Sequence, residues 1–183
     1  THLSPRELAK VRGNEISMIF QEPMTSLNPV MKIGDQVAEC VLQHEKISKK
    51  EALKKAEDML RKTGVPRVEH MMKEYPFQLS GGMRQRAALI RTLALQPDLL
   101  LLDEPFSALD YQTRLNVSDD IGKIIRRESK TAILVTHDIS EALSMADRVL
   151  ILSARPATVK DIIEVHFDIP DRTPLASRNA PEF

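Results

Sequence analysis

Residues Leu79 to Asp110 constrain the fold more than any other stretch. A Ser-Gly-Gly step runs into a helical pattern, and a four-leucine run follows that ends in two carboxylates and a proline. The helical pattern spans Met83 to Leu95 and is closed by Pro97. Gly81 and Gly82 in its first turn cost ~1 kcal/mol each relative to alanine. That cost makes sense where something must approach the backbone closely and a Cβ would stand in the way. A helix start with bare N–H groups and the Ser80 hydroxyl suits an anion; the plainer alternative makes Ser80 a simple N-cap. Leu99 to Leu102 reads as a buried parallel strand delivering Asp103 and Glu104 at its C-terminal end, where open α/β sheets gather ligands. An anion-facing helix start and an acidic strand end, 23 residues apart, point to nucleotide chemistry.

The 183 residues amount to one domain's worth of chain. Lys plus Arg and Asp plus Glu both number 26, so no basic field favours nucleic acid. The single Cys40 leaves no internal disulfide or Cys-rich zinc site and fits a reducing compartment. No apolar run approaches the ~20 residues of a membrane span, and the polar stretch from Thr1 to Asn14 is unlike a signal peptide. The expectation is a soluble chain that meets any membrane through a partner.

Along the chain, residues 16–20 form a short apolar strand that runs into Gln21-Glu22-Pro23, and Pro23 and Pro29 mark a loop. Ile33, Val37, Val41 and Leu42 have helical spacing over 33–44. A second helix is predicted over 48–63, with Ser48 and Glu51 as a capping box and Gly64 and Pro66 as its stop. Its lysines make a solvated face. A helix over 111–129 is capped by Asp110. A buried strand follows at 131–136, ending at His137, and Asp138 and Glu141 open a short helix to Ala146. Strands are predicted at 148–152 and 159–165, and an irregular tail from Asp168. Strands alternating with helices imply α/β architecture with a parallel sheet.

LSGGMRQ (79–85) resembles the signature motif of ABC-transporter ATPases, LLLLDEP (99–105) their Walker B strand and SALD (107–110) their D-loop. All three stand in the family's order and spacing. The resemblance implies a P-loop NTPase-like fold, a parallel-sheet core with an inserted helical subdomain. That subdomain, with the signature, would span about 33–95, the core strands from Walker B onward 98–165, and the tail 166–183. It implies ATP as ligand, with Asp103 and the Q-loop residue Gln21 holding Mg²⁺ through water. Glu104 would be the general base and His137 the H-loop contact to the γ-phosphate. Ser80, Gly81, Gly82, Gln85 and Asp110 complete the expected nucleotide-binding set. It further implies a homo- or heterodimer with a second ATPase subunit and a groove on the helical subdomain for a transmembrane permease. A solute-binding protein would act indirectly, with no nucleic acid partner, at the cytoplasmic face of the membrane. His2, His44, His70 and His166 match nothing in the family and are expected at the surface.

None of the six glycines (13, 34, 64, 81, 82 and 122) opens a G-x-x-x-x-G-K-[ST] phosphate cradle. The family's cradle lies upstream of the Q-loop, so the chain is expected to be the downstream part of such an ATPase, truncated at its N-terminus. Without the cradle's strand, the strands at 131–136 and 148–152 would each present an unpaired edge. Residues 13–36, with QEPMTSLNP, resemble oligopeptide and dipeptide importers, whereas the chain from about 87 onward resembles nitrate, sulfonate and taurine importers. A mosaic joined at SGGMRQR and an intermediate family are both open. So are two rival functions, a non-transport ATPase of this type and a catalytically incomplete interaction module.

Overall fold

The computed structural model describes residues 3–21, 23–62, 67–169, 172–181 and 183. His2, the expected stop at Gly64 and Pro66, and Pro170 of the tail lie outside the described residues. The chain forms two compact units, Thr1–Val135 and Thr136–Phe183.

In the first unit, α1 (Pro5–Val11) leads to β1 (Ile16–Ile19). The sequence from 33 on then supplies α2 (Ile33–His44), α3 (Lys49–Lys62) and α4 (Val68–Met71) before α5 (Gly81–Leu93), β2 (Leu99–Asp103), α6 (Tyr111–Arg127) and β3 (Thr131–Val135). Helix α2 coincides with the predicted 33–44. Its Lys32 N-cap has no side-chain bond; instead the Ile33 and Gly34 N–H groups donate to the carbonyls of Glu74 and Met72 at 2.9 and 3.1 Å. That close approach is possible because Gly34 has no Cβ: one placed there would lie 2.9 Å from the Met72 carbonyl oxygen. Helix α3 opens with the predicted box, Ser48 N–H and hydroxyl donating to Glu51 at 2.8 and 2.7 Å.

Helix α5 touches β1, α2, α3 and α6, so its apolar face, Ala87, Leu89, Ile90 and Leu93, is buried among them. The sheet order is β1-β2-β3, all parallel. Central β2 buries Leu100 and Leu102. Strand β3, expected to be buried, is largely exposed, with Ile133 at 52% and Val135 at 56%. The reason is topological: among the described residues it pairs with β2 alone.

The second unit holds α7 (Ile139–Met145), β4 (Arg148–Leu152), β5 (Val159–Glu164) and α8 (Pro174–Arg178). Here two expectations are corrected. Strands β4 and β5 form an antiparallel pair, not further members of a parallel sheet, because residues 153–158 are too few for a crossover. The tail is not wholly irregular: Thr173 accepts from the Ala176 N–H at 3.1 Å and caps α8, with Pro174 at its first position. Arg172 fastens this segment by donating to the carbonyls of Ala146 (2.7 Å) and Leu143 (3.1 Å) at the end of α7.

Candidate functional site

Parallel pairing places Ile19 of β1 beside Leu102 of β2, so the two strands release their C-terminal residues side by side. Gln21 and Glu104 thereby meet: the Gln21 amide donates to a Glu104 carboxylate oxygen at 3.1 Å. Asp103, half-buried, closes β2 opposite Val135. Glu104 itself occupies the left-handed region, φ +41°. Arg67, Gln96 and Ser129 share that region, but Arg67 stands at the start of α4 and the other two follow helix ends, where left-handed residues are common terminators. At a strand end the conformation is strained. It is held by the Glu104 N–H donating to Val135 at 2.9 Å and by the Ser107 N–H and hydroxyl donating to the Glu104 carbonyl at 3.2 and 3.0 Å.

A second cluster forms where α5 and α6 begin. Ser80 is the N-cap of α5, its hydroxyl accepting from the Met83 N–H at 3.4 Å. A Cβ on Gly81 would meet nothing within 4 Å, whereas one on Gly82 would lie 3.2 Å from the Thr113 methyl. Asp110 caps α6 by accepting from the Thr113 N–H at 3.0 Å, and this hydrogen bonding holds its carboxyl below the usual range. Thr113 thus links the two helix starts, a role no motif signalled.

Gln85, expected among nucleotide contacts, is fully buried, and its amide donates to the Pro105 carbonyl. It thereby joins α5 to the Asp-Glu-Pro turn. The sequence could not show this, since the partner is a backbone carbonyl 20 residues away. His137 is exposed and belongs to the second unit, beside Asp138, which caps α7 by accepting from the Glu141 N–H at 3.0 Å.

Among the described residues no three His, Cys, Asp or Glu side chains converge as a metal nest. Asp103, Glu104 and Gln21 nevertheless offer hard oxygen donors at one edge. Such a set fits Mg²⁺, which takes one or two carboxylates and completes its shell with water and substrate phosphates. Within the first unit a cleft of about 230 Å³ opens beside β1, lined by Arg12, Phe20, Ser26, Cys40, His44 and Arg91 among others. No helix among the described residues is long and apolar enough to cross a membrane.

A model of the ABC transporter family matches residues 2–107. The chain is 42% identical over 166 residues to the oligopeptide transport ATP-binding protein AppD of Bacillus subtilis, covering 88% of this chain and 51% of that protein. It is 40% identical over 167 residues to the glutathione import ATP-binding protein GsiA of Salmonella choleraesuis, covering 91% and 27%. The chain therefore spans about half the length, or less, of these curated relatives. Among solved structures it is similar to a dimeric ATP-binding cassette in a post-hydrolysis state, bound to ADP and Pi. The TM-score is 0.73 at 29% identity, over 91% of this chain and 69% of that one.

Proposed function

The chain belongs to the ABC transporter family, and we propose that it is part of the ATP-hydrolysing subunit of an importer for peptide-class solutes. The observation that carries this reading is the Gln21–Glu104 contact. Two residues that the family resemblance names, 83 positions apart, meet where parallel strands deliver ligands. The cargo class is supported by the reach of the peptide-importer likeness, 166 residues rather than the stretch 13–36 alone.

In this reading Glu104 takes the proton of the attacking water, with Gln21 orienting its carboxylate. Asp103 and Gln21 would hold Mg²⁺ through water, and the ion would supply neutralisation of the nucleotide's phosphate charge. His137 meets the γ-phosphate. Ser80, Gly81 and Gly82 present N–H groups to the nucleotide of a second ATPase subunit, identical or not, and Asp110 faces that subunit. The phosphate cradle is supplied from outside these 183 residues. The cleft beside Phe20 seats a helix of the permease, which receives solute from a binding protein, and the subunit works at the cytoplasmic face of the membrane.

The absence of a cradle motif from the sequence favours one other reading, an interaction module without catalysis. Hydrolysis of Mg-ATP by the complete gene product decides between them. Turnover that disappears in Glu104→Gln supports the ATPase; a gene product that neither binds nor hydrolyses ATP removes it.

A further inference from the structure

Glu104 is held from three directions, and one of them is α5. Its N–H is fixed by Val135 and its carbonyl by Ser107. The next carbonyl, that of Pro105, accepts from Gln85. Gln85 lies in α5, five residues after Ser80, and its exposure is 0%. Its amide oxygen is buried with no hydrogen-bond partner among the described residues. Burying half an amide unsatisfied is unfavourable, and an apolar side chain of the same length would avoid the penalty. The donor half is therefore what distinguishes Gln85 from a filler of space. It grips a turn whose preceding residue sits at φ +41°, a conformation that persists only where its surroundings fix it.

We infer that Gln85 is a positioning residue, tying the turn that carries the Glu104 carboxylate to the helix that begins at Ser80. The inference rests on reading Glu104 as the base and Ser80 to Gly82 as nucleotide-facing. In a head-to-tail dimer those two surfaces serve different nucleotides, so Gln85 links one composite site to the other through a single chain. A nucleotide that shifts the start of α5 shifts the Pro105 carbonyl with it, and so re-aims Glu104.

The test is made in the complete gene product with Gln85→Met and Gln85→Glu, measuring Mg-ATP hydrolysis, nucleotide affinity and Tm. Methionine keeps the length and volume and removes the donor. Its kcat is expected to fall roughly ten- to a hundredfold, the scale of a misplaced catalytic group, while KM and nucleotide affinity stay within about twofold of wild type. Glutamate donates to the Pro105 carbonyl only when protonated, and burial favours that form. The ratio of its kcat to wild type should therefore climb as pH is lowered, which Gln85→Met should not reproduce. A purely structural role would lower Tm without this pH dependence. Wild-type kcat in Gln85→Met, or a Gln85→Glu ratio that stays far below one at every pH, overturns the inference; if Gln85→Met does not fold, the glutamate ratio alone decides. A wild-type protein that does not hydrolyse Mg-ATP overturns instead the reading of Glu104, an outcome distinct from both.

Discussion

The amide of Gln21 and the carboxylate of Glu104 are joined by a 3.1 Å hydrogen bond between the ends of neighbouring parallel strands. One carboxylate oxygen is thereby oriented by a neutral donor.

Glu104→Gln in the complete gene product should lower ATP turnover by ~10²–10⁴-fold, the usual contribution of one general base. The amide preserves shape and can still bond water, so Mg-ATP affinity should be unchanged by calorimetry. Unimpaired turnover would remove Glu104 from the catalytic role.

Gly81→Ala separates folding from function. A Cβ there meets nothing within 4 Å, and alanine is ~1 kcal/mol better than glycine inside a helix. Tm should hold or rise slightly. Under the proposed reading, in which a second subunit's nucleotide approaches this backbone, ATPase activity should nonetheless drop. Activity equal to wild type would leave no close approach at this backbone.

Gly34→Ala should destabilise the first unit by about 1–3 kcal/mol, the range for overpacking a filled site. The new Cβ would lie 2.9 Å from the Met72 carbonyl oxygen, backbone that already accepts from the Gly34 N–H. Denaturant unfolding followed by far-UV circular dichroism measures the loss; an unchanged midpoint would show that the 72–74 segment yields.

Hydrogen bonds from the Ser48 hydroxyl and N–H hold the Glu51 carboxyl below its usual range. Its folded pKa is thus lower than its unfolded one, so the stabilisation is present above the unfolded value, about 4.3, and is lost as pH falls through the folded one. Glu51→Gln should therefore be less stable than wild type at neutral pH and converge with it in acid, once pH has fallen through the folded value. A gap that persists in acid would assign the effect to something other than ionisation.

Much of the fold was legible because local signals agreed with tertiary need. Ile33, Val37 and Val41 repeat at helical spacing and are all buried, and Ser48 and Glu51 form the box their spacing announces. Other signals were present but short. Thr173-Pro174 opens α8, and Ser4 with Glu7 caps α1 in a stretch read only as polar. The antiparallel pairing of β4 and β5 was implied by their brief link and missed because a repeating strand–helix rhythm suggested a crossover. The exposure of β3 could not be read from Thr131 to Val135 at all: an apolar run states what it can bury, not which neighbours arrive. At the candidate site, Gln21 and Glu104 were both singled out, but their contact depends on register. The burial of Gln85 was not legible, because its motif position says nothing of the side it turns inward.

The left-handed backbone at Glu104 also bears on how such a chain can change over generations. Selection for thermal robustness alone would favour glycine at position 104, since a non-glycine residue in that region carries a penalty of roughly 1–2 kcal/mol. A glutamate there is a poor choice for a chain that needed only to fold. Drift that relaxes any demand for a carboxylate here should find glycine early, a single base change from a glutamate codon, and leave a sturdier relative.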